Sequence, residues 1–142
     1  MVPESCAVAR NELHEGATAS VDFVISEEEL RQFAVLSGDF NPLHVDSDFA
    51  RSKGFDGAVV HGALLVAKVS QLIGMRLPGR DSVWTGLSLQ FRQPLYVGRA
   101  ARVDAVIDRL SAATGMVVLK LKVRTGDILL AKGEAEVLLV QP

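Results

Sequence analysis

From Thr18 the string TASVDFVI alternates: Ala19, Val21, Phe23 and Ile25 fall on one side, Thr18, Ser20 and Asp22 on the other. That period of two predicts a half-buried strand. SEEELRQFAVLSG follows. Ser26 with Glu29 forms a capping box, the run of Glu27, Glu28 and Glu29 suits a helix start, and Leu30, Phe33 and Ala34 make an apolar stripe. Pro42 disfavours helical geometry at Asn41, so this helix should stop near Gly38 or Asp39. Ser47 is expected to cap a short helix over DFARSK that Gly54 ends. GALLVAKVSQLIGMRLPG, from Gly62, is apolar almost all round apart from Lys68, Gln71 and Arg76. A helix like this belongs inside a domain. The rest alternates. Leu87, Leu89 and Phe91, then Ala101, Val103, Ala105 and Ile107, then Val117, Leu119, Leu121 and Val123 interleave with polar residues. Thr125-Gly126-Asp127 predicts a hairpin turn into Leu129 to Val140, where Ala131, Ala135, Val137 and Leu139 face away from Lys132, Glu134 and Glu136. One long buried helix and about five antiparallel strands give an α+β layer fold.

Composition narrows the function classes. The 142 residues suit a single domain, 1–142, with 49% hydrophobic and 23% charged residues. A net charge of -2 offers no basic surface for nucleic acid. The single cysteine, Cys6, permits no intrachain disulfide and fits a reducing compartment. The N-terminal stretch lacks a signal-peptide core, and the apolar run around His61 is too short to span a bilayer. A cytoplasmic protein with no membrane partner is expected.

The chemistry concentrates in SGDFNPLHVD, residues Ser37 to Asp46. Pro42 forces a bend, and a bend can bring Asp39, Asn41 and His44 to one pocket. A carboxylate and an imidazole aimed at one spot can share a water or a substrate proton. Asn41 offers a donor and an acceptor that could orient His44. The plainer reading is a polar turn, because Asp, Asn and Pro are all turn formers and Gly38 suits a helix C-cap. A metal site from His44, Asp46 and Asp48 lacks a second histidine at ligand spacing and fails the Ca²⁺-loop pattern. The chain has no GxSxG, GxGxxG or GxxxxGK[ST]. A second cluster, VVHGALLVA, places His61 and Gly62 where the apolar helix begins. Free N–H groups and the positive helix end lie there, a place to polarise a carbonyl oxygen. The alternative is that Gly62 serves close packing and His61 is a hydrogen-bonded core residue.

Together, FAVLSGDFNPLHVDSDFARSKGF and VVHGALLVA resemble the hydratase-2 motif of the MaoC-like (R)-specific enoyl-CoA hydratases. FRQPLYVGR, Phe91 to Arg99, resembles the strand and turn that follow the central helix in that family. The resemblance implies a hot-dog fold, in which a curved sheet wraps one apolar helix. It also implies a homodimer that adds water to a trans-2-enoyl thioester, giving an (R)-3-hydroxyacyl thioester without cofactor or metal. Coenzyme A or an acyl carrier protein would enter as part of the substrate. By motif position, Asp39 and His44 are the catalytic pair, Asn41 orients His44, and the Gly62 N–H binds the thioester carbonyl. His61, Ala63, Leu64 and Leu65 are the expected substrate contacts. Ala63 stands where the family often has Met. A hot-dog thioesterase and a non-catalytic acyl-thioester-binding subunit are the alternatives; neither predicts the intact GD-x-NP-x-H string.

Overall fold

The computed structural model describes residues 2–5 and 12–140; Cys6 lies outside them. β1 (Thr18–Val24) leads into α1 (Glu27–Ser37), then two short helices, α2 (Pro42–Val45) and α3 (Ser47–Ser52), and the central α4 (Gly62–Met75). Four strands complete the fold: β2 (Ser82–Phe91), β3 (Ala100–Leu110), β4 (Met116–Thr125) and β5 (Ile128–Leu139). They form one antiparallel sheet in the order β1-β3-β4-β5-β2. No helix among the described residues is long and apolar enough to cross a membrane.

The apolar faces meet as their alternation demands. Val103, Ile107, Val117, Leu119, Val123 and Val137 are buried from the sheet, and Leu64, Leu65, Val69, Leu72 and Ile73 are buried from α4. The expected hot-dog arrangement is therefore present: the sheet curves around one apolar helix. β5 lies tight against β2. Gly133 sits opposite Leu89, and a Cβ there would run into the Ser88 carbonyl.

Local signals at α1 hold. Ser26 and Glu29 form the capping box, and Gly38 closes the helix at φ 77°. That left-handed geometry is why a glycine stands there. Two expectations need correction. The segment after Gly38 is not only a bend: Pro42 opens a one-turn helix, since its fixed φ suits a first helical position. And α3 is capped by Asp46, whose carboxylate accepts from the Phe49 N–H at 3.1 Å. Ser47 instead accepts from the Ala58 N–H, tying the helix to the loop before α4. Leu87 and Phe91 face the same side as buried Ala135 and Ala131, yet remain 40% and 52% exposed. β2 is the edge strand beside β5.

Candidate active site

Asp39 and His44 come together across the Pro42 turn. Asp39 follows the α1 cap, and its N–H donates to Ser37 Oγ at 3.2 Å. Its Oδ1 accepts from the Asn41 N–H at 3.1 Å, which turns Oδ2 toward His44. The gap from Oδ2 to His44 Nε2 is 3.6 Å. On the other side of the ring, His44 Nδ1 lies 2.6 Å from the Val59 carbonyl. A carbonyl only accepts, so Nδ1 carries the proton and, in the neutral ring, Nε2 carries a lone pair. Two acceptors therefore face each other across 3.6 Å. A water about 2.8 Å from each lies within hydrogen-bond reach of both.

Asn41 takes a different part from the one expected. Its side chain accepts from the Leu43 N–H at 3.0 Å and its carbonyl from the His44 N–H at 2.8 Å. It caps α2 and so sets where His44 stands, while the ring itself is aimed by Val59. That partner was invisible in the sequence, because a backbone carbonyl has no residue-type signature. Val59 is itself fixed: its N–H donates to the Leu43 carbonyl, and it makes an isolated bridge with Tyr96.

His61 and Gly62 open α4 beside this pair. No side-chain bond caps the helix, and among the described residues the Gly62 N–H has no protein acceptor. Gly62 lines a cleft of about 320 Å³ together with His44, Phe55, Leu65, Phe91 and Pro94. A Cβ at Gly62 would meet the Phe91 ring at 2.9 Å, so only glycine lets that ring lie against the helix start. His44 also lines a second cleft, about 570 Å³, bounded by Phe40, Tyr96, Arg31 and Arg99.

The expected substrate contacts divide. Leu65 lines the cleft, Leu64 is core, and Ala63 is exposed. His61 is buried to 1% exposure, under the dyad rather than in the cleft. Its ring stacks on His44 at 3.9 Å and 21°.

A family model described as MaoC like domain matches residues 9–126. The chain belongs to that family. Among relatives of this MaoC-like chain, the (R)-specific enoyl-CoA hydratase of Aeromonas caviae is 36% identical over 126 residues, 88% of this chain and 94% of that protein. The enzyme of the same name from Rhodospirillum rubrum is 31% identical over 127 residues, 89% and 88% of the two chains. A solved (R)-hydratase from A. caviae involved in PHA biosynthesis superposes with TM-score 0.87 at 36% identity, covering 92% of this chain and 99% of that one.

One further feature of the MaoC-like site concerns metals. Asp39, His44 and His61 each offer a ligand atom, all within 4.8 Å of one another. The donor set is metal-like, but the geometry is not. Imidazole lone pairs lie in the ring plane, and two rings stacked at 21° aim theirs nearly parallel. They do not converge on one ion at the roughly 2.0–2.1 Å that zinc requires. The cluster suits proton handling.

Proposed function

We propose that the protein is an (R)-specific enoyl-CoA hydratase. It adds water reversibly to a trans-2-enoyl thioester and gives the (R)-3-hydroxyacyl thioester, with no cofactor or metal. The observation that carries this reading is the Asp39–His44 pair, with Oδ2 and Nε2 facing each other at 3.6 Å and Nδ1 held by the Val59 carbonyl. Water is a poor nucleophile, so a base must take its proton as oxygen bonds to C3. The electrons gained at C2 are then quenched by a proton, which the pair returns. Charge meanwhile develops on the thioester oxygen. The Gly62 N–H, at the positive end of α4, is the donor for it. Leu65 and Phe91 wall the adjacent space and keep it apolar. Relatives named (R)-specific enoyl-CoA hydratase at 31–36% identity support the same chemistry.

Crotonyl-CoA tests it against both alternatives. A hydratase lowers the enoyl absorbance and releases no thiol. Free thiol would mark a thioesterase, and binding without either change would mark a silent acyl-binding subunit. The carrier is coenzyme A or an acyl carrier protein, and a cytoplasmic setting goes with the reading.

The working unit is a homodimer in this proposal. Among the described residues β2 is hydrogen-bonded to β5 alone, at the end of the sheet. Leu87 and Phe91 on that strand stay 40% and 52% exposed. An open edge strand with apolar side chains needs cover. Light scattering at micromolar concentration should give twice the chain mass; a monomer mass would remove the dimer.

A further inference from the structure

His61 touches every part of the machinery and none of the cleft. Its Nε2 lies 3.0 Å from the Asp39 carbonyl, which fixes the ring proton on Nε2. Its face stacks on His44, its ring meets Phe33 edge to face at 5.1 Å, and its backbone runs directly into Gly62. The remaining nitrogen, Nδ1, is buried and has no protein hydrogen-bond partner among the described residues. A buried acceptor without a partner costs stability, and a leucine or phenylalanine would fill the same space without that cost. Space-filling therefore does not account for an imidazole here; its bond to the Asp39 carbonyl and its face toward His44 do. Only a flat ring with an N–H at the far edge can both back the His44 ring and hold the Asp39 main chain.

We propose that His61 is a positioning residue: it sets the spacing between Asp39 Oδ2 and His44 Nε2 and registers both against the Gly62 N–H, without touching substrate. The role presupposes the hydratase reading for its effect on turnover, but not for its effect on the geometry. Two variants separate its contacts. His61→Phe keeps a flat face for His44 and loses the donor to Asp39. His61→Gln keeps a donor and loses the face.

The experiment has two independent readouts on protein shown to be folded by circular dichroism. The first is the ¹⁵N-resolved imidazole spectrum. The His44 Nδ1–H, held by Val59, should give a slowly exchanging signal in the unmodified protein, and either His61 variant should shift it or speed its exchange. The second is crotonyl-CoA hydration. A misplacement on the ångström scale costs on the order of 10²-fold in rate, so kcat should fall at least about tenfold with KM changed by less than about threefold. In an Asp39→Asn background, His61→Phe should cost almost nothing more, because it acts through the dyad. Unchanged His44 signals in both variants would overturn the proposal, and so would equal losses in the two backgrounds. If the unmodified protein does not hydrate crotonyl-CoA, the hydratase reading fails, while the imidazole spectra still decide whether His61 positions His44.

Discussion

Asp39→Asn is expected to leave a folded protein that has lost most of its hydration of crotonyl-CoA. The amide oxygen can still accept from the Asn41 N–H, as Oδ1 does now, so the turn keeps its bond. The Asp39 side chain is 49% exposed, and losing its charge disturbs no core. What disappears is the basic oxygen facing His44. Removing a general acid or base typically costs roughly 10²–10⁴ in rate. For the partner, His44→Asn is the informative change. Its amide nitrogen falls near the place of Nδ1 and can go on donating to Val59, while Nε2 is deleted. In the proposed mechanism the two residues act on one water, so the double variant should be barely worse than either single. A turn-forming role predicts the opposite for Asp39→Asn, because asparagine is also a good turn residue and little would change. Wild-type rates from a folded Asp39→Asn protein would end the hydratase assignment.

The Gly62 donor should show an effect of roughly 10²–10³ in rate, the usual loss for one such N–H. Gly62→Pro removes the hydrogen, and proline is tolerated at the first position of a helix. His61 already has ψ 135°, the extended geometry that a residue before proline needs. The complication is steric. Any Cβ at this position meets the Phe91 ring at 2.9 Å. Gly62→Ala brings the same Cβ and keeps the N–H, so it is the control. Both variants make the same demand on the Phe91 ring, so whatever shift it makes is common to the pair. Gly62→Pro should therefore turn over roughly 10²–10³ more slowly than Gly62→Ala. Equal rates would show that the N–H is not the carbonyl donor.

Much of this molecule was legible in the sequence, for reasons that are local. β1, β3, β4 and β5 declared themselves because one face of each is buried, whereas β2 has no buried residue and showed only its second half, from Leu87. The start and stop of α1 were legible because Ser26, Glu29 and Gly38 act within a turn of their own backbone. The pairing of Asp39 with His44 was legible because Pro42 left the chain no straight path. Long-range relations were not. Ser47 was read as a cap, but its hydroxyl is engaged by Ala58, eleven residues away. The resemblance made His61 a substrate contact, while the residues alone left open a hydrogen-bonded core histidine. Only the fold shows it lying beneath the dyad at 1% exposure. The Val59 carbonyl and the Phe91 ring reach the site through tertiary packing, and nothing in their residue types marks them for it.

The excursion between α1 and α4, residues 38–61, has a consequence for how such a protein diversifies. It carries Asp39, His44, Val59 and His61, and it closes its own backbone with local side chains from Asn41 and Asp46. The sheet, which holds most of the buried apolar residues among those described, contributes no group to the proposed proton chemistry. Drift in the sheet can alter melting temperature or acyl preference and leave the reaction alone. Drift in the excursion can silence the reaction and leave a sound scaffold. A gene copy could thus lose catalysis in a single substitution and survive as a partner subunit, with its outline intact and its old reaction gone.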